Sequence, residues 1–212
     1  LHAGSQRANR GFRAINCGAI PATLMESELF GFEKGSFTGA TRTHDGIVSQ
    51  AHGGTLFLDE ITEMPLETQP PLLRFLETRK YLRVGGTQEL STDVRVVAAT
   101  NRAPASAVRE NRLREDLYYR LAVFPIELPP LRERGEDVVQ LAELFLERLC
   151  DRAGTAKRFA AGSLDAARRH AWPGNVRELK HAVECAFILA DDTVDLGAAL
   201  GLSAELKAGV PS

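Results

Sequence analysis

The stretch Gly53-Gly54-Thr55-Leu56-Phe57-Leu58-Asp59-Glu60 decides the fold. Thr55 to Leu58 is a near-continuous apolar run of strand length, the pattern of a strand covered on both faces. Two glycines punctuate its start and two carboxylates stand at its end. In open α/β sheets, ligands bind outside the carboxyl ends of the strands. Adjacent acids make poor core filler there, because unpaired buried charge is costly. The competing reading is an Asp-Glu pair capping the next helix, and the bare pattern leaves the two readings level. As a site, the pair suits nucleotide hydrolysis. One carboxylate orients Mg²⁺ on the phosphates and the other polarises an attacking water.

Outward from this stretch, Phe12 to Ile15 and Val94 to Ala99 also read as strands, and Phe124 to Leu128 as a fourth. Helical patterns at Leu24 to Phe30 and Leu72 to Glu77 lie between them. Alternating strands and helices imply βαβ crossovers and a mainly parallel sheet. Two prolines, Pro70-Pro71, would break a helix interior, so the second helix is predicted to begin near them. The first strand ends on Asn16 and the third runs into Thr100-Asn101. An amide there can hold a water or a phosphate oxygen. Each alone is an ordinary turn residue, but three polar strand ends at one sheet edge build a site.

From about Gly135 the pattern is helical. Val138, Leu141, Leu144, Phe145 and Leu149 recur at helical spacing, and further helices are predicted at Leu164 to Ala171 and Val176 to Leu189. The predicted organisation is therefore an α/β part over 1–130, a small all-helical subdomain over 131–190 and an Ala/Gly-rich tail over 191–212. The Pro-rich segment Leu128-Pro129-Pro130-Leu131 joins the first two.

Composition narrows the function. The 212 residues are 44% hydrophobic and 25% charged, which excludes wholesale disorder. No apolar run reaches the roughly 18 residues of a membrane span. A net charge of −2 excludes a uniformly basic nucleic-acid surface. Cys17, Cys150 and Cys185 form no C-x-x-C pair, so a reducing cytoplasm is expected. The five histidines, His2, His44, His52, His170 and His181, are read as having no partner at metal-ligand spacing, and most of them as surface residues.

One further segment, Gly35-Ser36-Phe37-Thr38-Gly39-Ala40, sets an aromatic and a threonine between glycines that permit unusual backbone angles. An aromatic at a loop tip is suited to binding a partner. The competing reading folds Phe37 back onto the core, and the sequence leaves the two even.

Together these residues resemble the central AAA+ ATPase domain of bacterial enhancer-binding proteins, the sigma-54-dependent, NtrC-like transcriptional activators. The resemblance runs from Leu1 to about Leu189. Its most specific element is Gly35 to Ala40, similar to the family's Gly-Ala-Phe-Thr-Gly-Ala signature with Ser36 in place of Ala. The resemblance implies that this loop contacts sigma-54, with Phe37 and Thr38 foremost. It assigns Asp59 and Glu60 to Mg²⁺ binding and water activation, and Asn101 to sensing the nucleotide. It makes Asn16 the partner of Glu60 in a nucleotide-dependent switch. Within Leu113 to Leu121, it implies that Arg114 and Arg120 reach a neighbouring subunit's ATP, whose developing charge the planar guanidinium fork suits. The ordinary reading of these arginines is surface ion pairing with Glu110 and Asp116.

Trp172-Pro173-Gly174-Asn175-Val176-Arg177-Glu178-Leu179 is similar to the family's second sensor motif. Arg177 would then point at the nucleotide from a helical lid, with Asn175 as N-cap and Glu178 at capping-box spacing. The implied fold is an AAA+ P-loop NTPase-like parallel sheet with flanking helices plus the lid. The implied cofactors are ATP and Mg²⁺. The implied partners are sigma-54 RNA polymerase holoenzyme and further copies of the chain in a hexameric ring, with DNA bound only through a domain absent from these residues.

One element of the resemblance is missing. The five lysines, Lys34, Lys80, Lys157, Lys180 and Lys207, none of which follows a glycine, leave no G-x-x-x-x-G-K phosphate loop. Leu1-His2 matches the end of the helix that follows that loop, so the first strand and the P-loop are expected to precede this sequence. The chain alone is expected to bind ATP weakly and to hydrolyse it negligibly. Two other readings stay open: a catalytically inactive sigma-54-binding module, and a different AAA+ remodelling ATPase.

Overall fold

Thr55–Asp59 is the middle strand of a three-stranded parallel sheet, flanked by Phe12–Asn16 and Arg95–Ala98. The computed structural model describes residues 1–201. Leu56 and Leu58 are fully buried and Thr55 nearly so, as the unbroken apolar run requires. The register sets Asn16 opposite Asp59 and Leu58 opposite Ala98, so the polar strand ends come to one edge. At the other end Gly54 is needed for close packing, since a Cβ there would lie 2.0 Å from the Gly11 carbonyl oxygen.

This sheet belongs to the first of two compact units, Leu1–Pro125 and Ile126–Ser212. Helix Ala22–Phe30 contributes buried Met25, Leu29 and Phe30, and helix Gln69–Thr78 contributes Leu72 and Phe75. Phe30, Phe75 and Tyr81 pack with ring centroids 5.9 to 6.3 Å apart. Buried side chains of this kind stabilise by roughly 1.5–3 kcal/mol each. Pro70-Pro71 sit in the first turn of their helix, where the missing N–H is tolerated. That helix stops at Arg79, which is left-handed and returns its N–H to the Phe75 carbonyl.

The strand expected at Phe124 to Leu128 does not form. Phe124 and Leu128 are 82% and 77% exposed, and the segment has no strand partner among the described residues. Apolar content alone does not make a strand, because its backbone groups need a neighbour.

The second unit packs helices Asp137–Ala153, Ser163–Arg169 and Asn175–Leu189 around Trp172, Leu146, Leu179 and Val183. It is not wholly helical. Arg158–Phe159 pairs in parallel with Thr193–Val194. The expected tail also starts later than residue 191: Val194, Leu196 and Ala199 are buried in this second core, and residues 196–201 are helical. The rest of the expected tail, 202–212, lies outside the described residues. Among the described residues no helix is long and apolar enough to cross a membrane.

Candidate functional site

The acid pair stands where the middle strand ends. Asp59 is its last residue, and its Oδ1 accepts the Glu60 N–H at 3.1 Å. Glu60 turns the chain sharply in the left-handed region, φ 52° and ψ 47°. A non-glycine residue held there stores backbone strain, a feature concentrated at functional sites. The Asp59 carbonyl accepts the Cys17 N–H at 2.9 Å. Burial pushes the Cys17 thiol up to about 12, with the Asp59 carboxylate adding to the effect.

The expected Asn16–Glu60 hydrogen bond is not made here. Asn16 Oδ1 instead accepts the N–H groups of Gly18 and Ala19, at 2.8 and 3.1 Å. The two side chains nevertheless converge on Gly18, where an added Cβ would lie 2.8 Å from Glu60 Oε2 and 3.4 Å from Asn16 Oδ1. The turn after Glu60 is tied to the neighbouring strand end. Ile61 N–H donates to the Ala99 carbonyl, and the Thr62 and Thr100 hydroxyls meet at 3.1 Å. Asn101 follows directly and is exposed. Asp59, Glu60, Asn16 and Asn101 thus share one sheet edge.

Arg102 and Arg112 direct their guanidinium groups to Glu63, at 2.9 and 3.6 Å. No ion pair among the described residues takes Asp59 or Glu60. Two adjacent, uncompensated carboxylates offer the hard oxygen donors that Mg²⁺ prefers. The residues present therefore fit the metal and water side of a nucleotide site. The phosphate cradle, a glycine-rich loop ending in lysine, is not among them.

The two arginines are engaged within their own unit. Arg114 forms a forked pair with Asp116, at 3.1 and 2.8 Å, and this guanidinium holds the Asp116 carboxyl below its ordinary range. Arg120 Nη2 donates to the Leu76 carbonyl at 3.0 Å. The Arg114 pair is solvent-exposed and so only weakly held. Sequence reading missed the residue behind this segment, Gln69, which is fully buried and bonded to its backbone.

The loop Gly35 to Ala40 closes on itself, Gly35 N–H donating to Ala40 O and Ala40 N–H to Phe37 O. Gly35 and Gly39 have φ of 85° and 104°. Phe37 is 43% exposed and rests on Phe32, ring centroids 4.9 Å apart, while Thr38 is exposed. Phe37 thus takes neither extreme of the two sequence readings. Ser36 sits inward with its hydroxyl buried and without a hydrogen-bond partner.

In the second unit, Arg177 lies in the first turn of helix Asn175–Leu189 and is exposed. The expected capping differs in detail. Asn175 Oδ1 accepts the Leu131 N–H at 2.8 Å instead of capping its helix, and Glu178 Oε2 accepts the Gly174 N–H at 2.9 Å. The histidine reading also needs correction. His181 and Cys185 lie one helical turn apart, with Cys185 Sγ 3.7 Å from His181 Nε2. No group of three or more metal-binding side chains forms among the described residues.

Both parts of the chain match known families. The sigma-54 interaction domain matches residues 1–127, and the AAA+ ATPase lid domain matches residues 132–207. The alginate biosynthesis transcriptional regulatory protein AlgB of Pseudomonas aeruginosa is 49% identical over 210 residues, covering 98% of this chain and 46% of AlgB. The DNA-binding transcriptional regulator NtrC of Azospirillum brasilense is 52% identical over 183 residues, 86% of this chain and 38% of NtrC. The crystal structure of NtrX from Brucella abortus in complex with ADP superposes with a TM-score of 0.85 at 36% identity, over 100% of this chain and 47% of NtrX. The chain thus spans less than half the length of each of these relatives.

Proposed function

Because the chain belongs to the sigma-54 interaction domain family and carries an AAA+ lid after that domain, we propose that it is the motor segment of a transcriptional activator. In this reading it couples ATP hydrolysis to remodelling of RNA polymerase bearing sigma-54. The observation that carries the reading is the pairing of two features in one unit: an uncompensated Asp59–Glu60 pair at a strand end and an exposed Phe37–Thr38 tip. The first suits phosphate chemistry and the second suits a protein partner. The ADP complex of NtrX supports nucleotide binding at this fold.

Each residue then has a task. Asp59 would hold Mg²⁺, which supplies charge neutralisation at the phosphates when bound. Glu60 polarises the attacking water. Asn16, turned to its own loop here, stands across Gly18 from Glu60 and is placed to exchange partners. Asn101 reads the phosphate end of the nucleotide. Arg114 leaves its exposed pair with Asp116 to reach the ATP of a neighbouring copy in a ring, and Arg120 supports it. Arg177 contributes from the lid. Gly35 to Ala40 contact sigma-54, with Gly35 and Gly39 giving the turn its shape. Such an assembly works in the cytoplasm, on RNA polymerase, and meets DNA through residues other than these.

A second reading is favoured by one observation, that the Gly35 to Ala40 loop is closed by its own backbone hydrogen bonds and so holds its shape without a nucleotide. In that reading the chain binds sigma-54 without turnover. Capture of purified sigma-54, with and without ADP plus aluminium fluoride, separates the two. Capture that requires the transition-state analogue supports the motor reading. Equal capture in its absence supports the binding module.

A further inference from the structure

Gln69 is a long polar side chain with no exposed surface, a setting that demands full hydrogen bonding. Its Nε2 donates to the Met64 carbonyl at 3.0 Å and the Arg112 carbonyl at 2.8 Å. Its Oε1 accepts the Arg114 N–H at 2.8 Å. One amide therefore satisfies three backbone groups in two separate segments. Met64 closes the tight turn Ile61–Glu63 that leads directly from Glu60. Arg112 and Arg114 flank Leu113, which is 3% exposed and anchors the arginine segment in the core.

Gln69 is also well placed to hold its position. It is the first residue of helix Gln69–Thr78, and Pro70-Pro71 fix the backbone of that first turn. The same helix binds the second arginine, through the Leu76 carbonyl and Arg120 Nη2. Both guanidinium-bearing residues are thus held from one helix whose N-terminus also grips the turn behind the acid pair.

We propose that Gln69 is the positioning residue of the arginine segment: its buried amide joins the turn behind Asp59–Glu60 to the backbone at Arg112 and Arg114. Arg114 then follows the acid-bearing strand rather than its own ion pair with Asp116. The physical contrast is plain. An exposed pair of flexible side chains constrains weakly, whereas loss of the buried amide strands three desolvated backbone groups. The functional meaning rests on the reading of Arg114 given above. The linkage itself does not.

Amide hydrogen exchange on the whole 212-residue chain tests the linkage. Gln69→Leu removes the polar atoms and leaves an apolar side chain of comparable bulk, and Gln69→Met, unbranched at Cγ like glutamine, serves if the leucine variant does not fold. The Arg114 amide is expected to exchange at least tenfold faster in the variant, relative to the amides of Leu56 and Leu58 in the same protein. Asp116→Asn is expected to leave it within threefold of the native rate. An unchanged Arg114 amide overturns the proposal. So does an equal rise at Leu56 and Leu58, or a rise in Asp116→Asn as large as in Gln69→Leu.

Where turnover is measurable, Gln69→Leu is expected to lower kcat at least tenfold with KM for ATP within threefold, and to add no further loss to Arg114→Ala. Additive losses overturn positioning through Arg114. If Arg114→Ala alone leaves kcat unchanged, the reading of Arg114 fails, while the exchange result still decides the linkage.

Discussion

A Cβ placed on Gly85 would lie 2.5 Å from the Cβ of Ser36, so two loops far apart in sequence meet where only glycine fits. Gly85 also has φ of 74°, a left-handed conformation. Beside this contact Arg83 binds Glu33 at 2.8 Å and Asp45 at 2.6 Å, the two stems of the Phe37–Thr38 loop. The posture of that loop is therefore set from outside it.

Gly85→Ala tests the contact. The left-handed backbone alone costs about 1–2 kcal/mol for a residue with a Cβ, and the clash with Ser36 adds to it. A fall in Tm of several degrees is expected for a chain of this size, at roughly 2–4 °C per kcal/mol. Amide shifts should spread over residues 35–40. Ser36→Ala is the contrast, because it removes a buried hydroxyl that has no partner. It should leave stability unchanged or raise it by up to about 1 kcal/mol. A loss of Tm in Ser36→Ala would show that the hydroxyl is bonded after all.

The clamp on this loop should respond to acid. The Arg83 guanidinium, then the Thr43 hydroxyl, holds the Glu33 carboxyl below its ordinary 4.5. A carboxyl depressed in the fold contributes stability that is complete above its unfolded pKa and is lost as pH falls through the folded one. The contact between Phe37 and Phe32, followed by aromatic nuclear Overhauser effects, is therefore expected to be constant from pH 7 to 5 and to weaken below 4.5. Glu33→Gln should remove that dependence. An unchanged profile in this variant would mean that Glu33 is not the group that titrates.

Much of this arrangement was legible in the sequence, and the exceptions share a cause. Thr55–Asp59 could be read because a strand buried on both faces writes an unbroken apolar run, and Leu56 and Leu58 are indeed fully buried. Phe124 to Leu128 carries similar content, but a strand also needs a neighbour, which the run itself does not encode. Glu178 was found by its spacing, yet the N–H it accepts is Gly174's, and Asn175 bonds Leu131, 44 positions away. Gln69 gave no signal, since a glutamine before two prolines reads as a helix start. Its role depends on Met64, Arg112 and Arg114 meeting in space. The ladder of Arg158–Phe159 with Thr193–Val194 is two residues long, too short for alternation to register.

Cys17 should be the least reactive of the three thiols. It is 1% exposed, while Cys150 and Cys185 are less buried. Raising a thiol's pKa to about 12 lowers the thiolate fraction at any pH below it, and the thiolate is the nucleophile. Iodoacetamide at pH 8 is expected to modify Cys185 and Cys150 in the native chain and Cys17 only after denaturation, as read by peptide mass. Native labelling of Cys17 as fast as Cys185 would mean that the acid-pair strand end opens readily to solvent.

In the proposed function Glu60 joins strain to chemistry, and the two can be separated. Its left-handed backbone (φ 52°) costs about 1–2 kcal/mol for a residue with a Cβ, a cost glycine does not carry. Glu60→Gly should therefore raise Tm, by roughly 2–4 °C for each kcal/mol recovered. Glu60→Gln keeps the Cβ and the strain, so its Tm should match that of the native chain. Both variants lose the carboxylate, and both are expected to lose analogue-dependent capture of sigma-54. A gain in stability confined to Glu60→Gly, with loss of function in both, would mark the conformation as one retained for the acid it presents. If Glu60→Gly is no more stable than Glu60→Gln, the surrounding turn holds that geometry without strain, and the conformation at Glu60 has no bearing on function.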